Sequence, residues 1–319
     1  MPASSTTASR ALPLTLRGVG RRFDRPVLHG VDLDVAAGEI VAVLGPSGCG
    51  KSTLLRQLGG LDQPDTGTVR IGDEPARHAD QRCAVAFQEP RLLPWRTLRD
   101  NVALGLPKPN KQSAKTSTAS TSGPSSTTAS PNLTKPERDA RLTELLDLVH
   151  LGPAGARRPR EVSGGMAQRA SLARALARQP AVLLLDEPFG ALDALTRLRM
   201  QDLLLDVHDA LPTTVVLVTH DVDEALYLAD RIVLLADIGQ QPADQPDPAS
   251  ADATHTDTAG GATSIQRIVT VPGARRRDRD APELAVLRQE LLEGLGVHRV
   301  PAGHASATGH ASLTGHATA

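Results

Sequence analysis

Residues 45–52, Gly-Pro-Ser-Gly-Cys-Gly-Lys-Ser, have the types and spacing that phosphate chemistry needs: a glycine, four residues, then Gly-Lys-Ser. Gly45, Pro46, Ser47, Gly48 and Gly50 would form the cradle, with the two later glycines letting the backbone turn tightly so that successive N–H groups face phosphate oxygens. The helix expected to open at Lys51, Ser52 and Thr53 adds its positive end to the same place. Lys51 would bring a full charge to the β- and γ-phosphates, and Ser52 a hydroxyl to a Mg²⁺ ion bridging them. Cys49 reads as a small residue that fits the loop rather than as a working thiolate.

A second set of groups follows the apolar run Val182 to Leu185, which ends in Asp186-Glu187-Pro188. Carboxylates at the carboxyl end of a buried strand stand where α/β proteins bind ligands. Asp186 suits the Mg²⁺ ion, directly or through water, and leaves Glu187 free as the base that polarises an attacking water. The bland alternative, an acidic pair opposite a helix dipole, explains one carboxylate more easily than two. Upstream, Ser163-Gly164-Gly165 opens a helical pattern and offers a further anion-binding helix start.

The elements that must hold these groups are legible in outline. Short β-rich runs at 39–44, 182–185, 213–218 and 231–235 alternate with Leu/Ala patterns of helical spacing, which predicts an α/β fold with a mainly parallel sheet. Before them, Leu14 to Arg17 and Val31 to Val35 alternate apolar and polar residues, predicting a small antiparallel sheet. Leu142, Leu145, Leu146 and Val149 lie on one face of a helix.

On these residues the chain resembles the ATP-binding cassette family. The stretch Val162-Ser-Gly-Gly-Met166 departs from the family's Leu-Ser-Gly-Gly-Gln at both ends but keeps its Ser-Gly-Gly core. Gln88, Ala191-Leu-Asp193 and His220 match further family elements in the expected order. The resemblance implies a P-loop ATPase core with an antiparallel β-subdomain and a helical subdomain, using ATP and Mg²⁺. It implies that Gln88 senses the metal and the attacking water, that His220 contacts the γ-phosphate, and that Asp193 lies at a dimer seam. Phe23 occupies the position of an aromatic that stacks on adenine, with core packing as the alternative. Two copies would sandwich two ATP molecules, each held by Lys51 of one chain and Ser163 of the other.

Composition narrows the function further. Of 319 residues, 35 are Lys or Arg and 36 are Asp or Glu, so the net charge of −1 gives no reason to expect a nucleic-acid partner. With two cysteines a disulfide framework is excluded, and the apolar runs fall far short of the roughly 20 residues that span a bilayer. No secretory signal is legible at the N-terminus, which points to the cytoplasm. The expected organisation is a flexible 1–12, an ATPase domain over 13–238 with its helical subdomain at 89–165, a flexible 239–263, a strand and helix over 264–301, and a disordered tail, 302–319. Within the helical subdomain, residues 108–136 carry 13 Ser or Thr and four Pro among 29 residues and read as a disordered insertion. The tail repeats Gly-His-Ala; His304, His310 and His316 share no helical face, and a solvated tail is the simpler reading than a metal site.

The resemblance also implies partners. The segment from Gln88 through Trp95 to Val102 is similar to the family segment that receives a permease helix, with Leu92, Leu93, Pro94 and Trp95 as its apolar lining. The runs at 92–96 and 189–197, and the basic stretch Val271 to Arg279, are similar to importer ATPases for aliphatic sulfonates. Nitrate and taurine importers share much of this wording. The implied assembly is an ATPase homodimer on the cytoplasmic face of the membrane, two permease subunits and an external substrate-binding protein. The rival readings are a soluble cassette ATPase acting on nucleic acid or ribosomes, and a nucleotide-binding regulator that does not hydrolyse.

Overall fold

The computed structural model describes residues 10–107, 133–238 and 263–297. In chain order its elements are β1 (Leu14–Arg22), β2 (Pro26–Val35), β3 (Ile40–Leu44), α1 (Lys51–Leu58), β4 (Thr66–Ile71), β5 (Glu74–Pro75), β6 (Cys83–Ala86), α2 (Leu98–Ala103) and α3 (Lys135–Leu148). There follow α4 (Gly164–Ala177), β7 (Val182–Asp186), α5 (Ala194–Ala210), β8 (Thr214–Val218), α6 (Val222–Leu228), β9 (Arg231–Leu235), β10 (Ile265–Thr270) and α7 (Pro282–Gly294).

Two sheets form, a four-stranded antiparallel one in the order β2-β1-β4-β5 and a six-stranded one in the order β10-β9-β3-β8-β7-β6. The larger is parallel except at β10, which pairs antiparallel with β9. Its central strands are apolar on both faces because both are covered, and their alternate residues divide the core. Val41, Val43, Val182, Leu184, Val216 and Val218 pack with α1 and the antiparallel sheet. Ile40, Ala42, Leu44, Leu183, Leu185, Val215 and Leu217 pack with the helices on the opposite face. The register sets Asp186 opposite Val218 and Val218 opposite Val43, so three strands end together. The loops that leave them therefore share one carboxyl edge.

The α/β architecture is the expected one, with adjustments. The strand read as Leu14 to Arg17 runs on to Arg22, and β4 and β5 extend its sheet. Of the residues expected to lie in the disordered insertion, Leu133 packs on the core, Thr134 caps α3, and Lys135 and Pro136 open it. The Thr134 N–H donates to Glu137 Oε2 at 2.7 Å, and Pro136 sits in the first turn, where its missing N–H costs nothing. At the N-terminus, expected to be flexible to residue 12, the Leu12 carbonyl accepts from Thr214 Oγ1 at 2.6 Å and its side chain packs on the core. The helix expected around Leu284, Leu287, Leu291 and Leu292 is α7, with Leu284 and Leu291 buried. Residues 1–9, most of the insertion, nearly all of 239–263 and the His-containing tail lie outside the described residues. Among the described residues no helix is long and apolar enough to cross a membrane.

Candidate functional site

The site begins where β3 stops. Gly48 at φ 85° and Gly50 at φ 101° give the following loop its turn, in a region of backbone space that side chains disfavour. A Cβ on Gly50 would come within 2.9 Å of the Val27 carbonyl oxygen, so glycine is also required there by space. Lys51 is 8% exposed, and its Nζ donates to the carbonyls of Gly45 at 2.8 Å and Pro46 at 2.7 Å, so its charge sits over the loop. Cys49 is buried at the base of the loop, and burial raises its thiol pKa, which agrees with a space-filling role.

From the neighbouring helix turn, Ser52 Oγ donates to Asp186 Oδ1 at 3.1 Å. Burial raises the Asp186 pKa, the Ser52 hydroxyl opposes the rise, and the adjacent Glu187 adds to it. A carboxylate that is costly to leave charged, beside a hydroxyl, is a set of hard oxygen donors suited to a divalent cation. Among the described residues no group of three or more His, Cys, Asp or Glu is arranged to hold a metal alone. A Mg²⁺ ion here would complete its shell with phosphate oxygens and water, the usual habit of that ion.

Glu187 follows at φ 44°, a strained conformation for a residue with a side chain, and its N–H is tied to the Val218 carbonyl at 2.9 Å. The strain turns its carboxylate toward the end of β8, where Oε2 lies 3.3 Å from His220 Nδ1. The Gln88 amide joins them beside Gly190: Gln88 Nε2 lies 3.4 Å and Glu187 Oε2 3.7 Å from the position a Cβ on Gly190 would take. Lys51, Ser52, Asp186, Glu187, His220 and Gln88 thus gather along one edge.

Other expected residues stand apart from this group. Ser163 caps α4, its Oγ accepting from the Met166 N–H at 3.3 Å, and it is exposed together with Gly164. Among the described residues no hydrogen bond joins Ser163, Gly164 or Gly165 to the Lys51 loop. Asp193 caps α5 by accepting from the Thr196 N–H at 3.0 Å, a bond that lowers its carboxyl pKa. The two helix starts adjoin, since a Cβ on Gly165 would lie 2.5 Å from Thr196 Cγ2. Phe23, 56% exposed at the turn between β1 and β2, is not core; the Arg21 guanidinium lies 4.8 Å from its ring centroid.

Two residues escaped the sequence reading. The Arg25 guanidinium comes within 3.8 Å of the position of a Cβ on Gly48, so the β1–β2 turn brings a cation to the phosphate loop. Asn101, fully buried, receives the Leu93 N–H on its Oδ1 at 2.7 Å and donates to the carbonyls of Leu93, Arg96 and Thr97. It is the post on which the Trp95 loop is built. Following Arg99 and Asp100 in Leu98–Ala103, it carries no signal in the sequence that sets it apart.

A glycine loop that opens a helix, a strand ending in two carboxylates and a histidine reaching the second of them define a P-loop ATPase. The profile of the ABC transporter family matches residues 28–190. The aliphatic sulfonates import ATP-binding protein SsuB 2 of Burkholderia lata is 42% identical over 294 residues, which cover 92% of this chain and 90% of that protein. The nitrate import ATP-binding protein NrtD of Synechococcus elongatus is 36% identical, covering 92% and 95%. Among solved structures, the dimeric, post-hydrolysis cassette MJ0796 bound to ADP and Pi is 28% identical with a TM-score of 0.58, covering 82% of this chain and 100% of that one. The chain belongs to the ABC transporter family, as one of its ATP-binding, ATP-hydrolysing proteins.

Proposed function

We propose that this chain is the ATP-hydrolysing subunit of an importer for aliphatic sulfonates, acting as a homodimer on the cytoplasmic face of the membrane beneath two permease subunits. The hydrolytic part of the reading rests on Glu187 and His220 meeting beside the Ser52–Asp186 pair. In this scheme Lys51 leaves the carbonyls of Gly45 and Pro46 for the triphosphate, whose oxygens also receive the loop N–H groups. Glu187 accepts a proton from the attacking water, Gln88 orients that water, and His220 donates a ring N–H to the γ-phosphate. Mg²⁺, when held by Ser52 and Asp186, with Gln88 toward its water shell, would neutralise charge on the β- and γ-phosphates. Phe23 would stack on the adenine.

Ser163 and Gly164 hold an exposed anion-binding helix start with no phosphate loop in hydrogen-bond reach, and Asp193 adjoins it. That arrangement suits a second copy whose nucleotide completes the site. Permease docking is supported by Trp95, 67% exposed on the loop that Asn101 holds, and by a nearby groove of about 320 Å³ whose lining includes Leu61, Phe87 and Leu104. The sulfonate assignment is supported by the relative from Burkholderia lata; the nitrate relative keeps nitrate as the alternative cargo. An external substrate-binding protein completes the importer in this reading, as the family resemblance implies.

Glu187→Gln is expected to bind ATP as the parent does while steady hydrolysis falls at least about a hundredfold. Unchanged hydrolysis would remove Glu187 from its role. Copurification with a hydrophobic subunit supports the importer, whereas recovery only with RNA reverses it. In a strain lacking any other sulfonate importer, deletion should abolish growth on an alkanesulfonate as sole sulfur source. Normal sulfonate growth with impaired nitrate use would move the cargo to nitrate.

A further inference from the structure

The basic run at 275–279 is spent on contacts within the chain. Arg275 donates to Asp230 at 3.0 and 2.7 Å and meets His208 Nδ1 at 2.8 Å, while Arg276 pairs with Asp206 at 2.6 Å and Asp209 at 3.1 Å. Arg279 Nη2 donates to Gln201 Oε1 at 2.8 Å. These contacts lie along α5 from its C-terminal end toward its start. They lead to α6, the seven-residue helix that begins two residues after His220.

Three arginines of this C-terminal segment grip α6 at different points. Arg277, itself buried, points its guanidinium at the carbonyls of Leu226 and Tyr227, each 3.4 Å away. The Arg279 guanidinium stacks on the Tyr227 ring at 3.5 Å, and Arg288 of α7 pairs with Asp223 in the first turn. Behind that turn α5 presents Arg197 and Gln201, one helical turn apart. Arg197 joins Asp221, the residue after His220, to the Leu192 carbonyl at 3.3 and 3.2 Å. Gln201, held by Arg279, reaches the carboxyl of Glu224 at 3.5 Å. Glu224 is 3% exposed, and its Oε1 has no hydrogen-bond partner among the described residues.

We propose that the segment from Arg275 to Arg288 is a positioning element of the ATPase site: by fixing α6 through Arg277, Arg279, Arg288 and the Gln201–Glu224 contact, it holds His220 against Glu187. The family profile ends at residue 190, so this segment lies outside the matched region. The physical argument is leverage. A helix of seven residues has little stability of its own, so its orientation follows its tertiary contacts, and His220 leaves the β8 end directly into it. A change of 1 Å at His220 would misplace a group that must meet the γ-phosphate. None of the three arginines lies among the nucleotide groups, so each is a positioning residue, and none acts on substrate.

Glu224 makes the linkage readable. Burial raises its pKa to about 7, with the Asp221 carboxylate adding to the rise and the Thr219 hydroxyl, the Gln201 amide and Arg197 opposing it. Arg279 faces it through Gln201, and Tyr227 and Asp223 share its helix. Below pH 7 the acid is neutral and tolerated. Above it, a buried ionised carboxylate stands beside Asp221 at the root of the His220 loop and loosens the start of α6.

The inference rests on the ATPase reading, and the experiment separates the two. Steady-state hydrolysis by the full chain is measured from pH 6 to 8.5 for the parent, Arg279→Ala, Arg279→Lys, Arg288→Ala and Glu224→Gln. Arg279→Ala and Arg288→Ala are expected to lower kcat about three- to tenfold with KM for ATP within about twofold. Arg279→Lys, which keeps a donor and a cation over Tyr227, should recover most of the loss. In the parent kcat should fall as pH rises through about 7, and Glu224→Gln, which cannot ionise, should lack that fall. A parent without hydrolysis would sink the ATPase reading itself. Folded alanine variants with parental kcat and pH profile would overturn the positioning role alone. Should the alanine variants fail to fold, Glu224→Gln decides: a pH profile identical to that of the parent overturns the proposal.

Discussion

Two helix starts in this molecule present backbone N–H groups, and they are built in opposite ways. The start of α1 is enclosed: Lys51 is buried over its own loop, and Gly50 stands against Val27 and Leu28 with no room for a side chain. The start of α4 is open: Ser163 and Gly164 are exposed, and a Cβ on Gly164 would meet nothing within 4 Å. Beside the first stand the Ser52–Asp186 pair and Glu187, the groups proposed above for a metal ion and for the attacking water. The second has the donors and none of the rest. Among the described residues nothing comes near the place of a side chain at 164, the space that a second copy would fill in the proposed pairing.

Breaking each start in turn tests this contrast. The largest effect is expected from Lys51→Ala, which removes the loop's full charge and should reduce ATP hydrolysis at least about a hundredfold by steady-state assay. Gly164→Val is the sharper experiment. Open space lets the valine fit the isolated chain, so thermal melting should shift little, yet hydrolysis should fall about tenfold or more and lose its dependence on protein concentration. Retained hydrolysis in that variant would mean that α4 faces no second copy. The smallest effect belongs to the edge of the enclosed site: Phe23→Ala should raise KM for ATP about five- to tenfold with kcat nearly unchanged, a stacking loss and nothing more.

The enclosed site was legible because its parts are local. Gly48, Gly50, Lys51 and Ser52 lie within five residues, and their types alone dictate the turn, the charge and the hydroxyl. Asp186 and Glu187 were legible because a run of buried β-residues places whatever follows it at the sheet edge. The 3.3 Å approach of His220 to Glu187 was not, since it depends on β7 and β8 pairing in one particular register and on Glu187 taking φ 44°. Residues 133–136 read as the end of a Ser/Thr-rich insertion because composition averages over a window, whereas a cap and a proline at a helix start act one residue at a time. The basic stretch was visible as a sequence similarity only. That Arg275, Arg276 and Arg279 lie along α5 follows from β10 pairing with β9, a contact between residues about 35 apart in the chain.

By itself, then, the sequence determined the phosphate loop, the acidic strand end and the alternation of strand and helix. These depend on residue type and short spacing, which the chain carries whatever its conformation. Tertiary structure alone decided which groups meet: His220 with Glu187, Arg25 with the glycine loop, Asn101 with the Trp95 turn, and the C-terminal arginines with α6. Distances between residues remote in sequence are set by strand register and by the packing of buried faces, and no single stretch of residues encodes them.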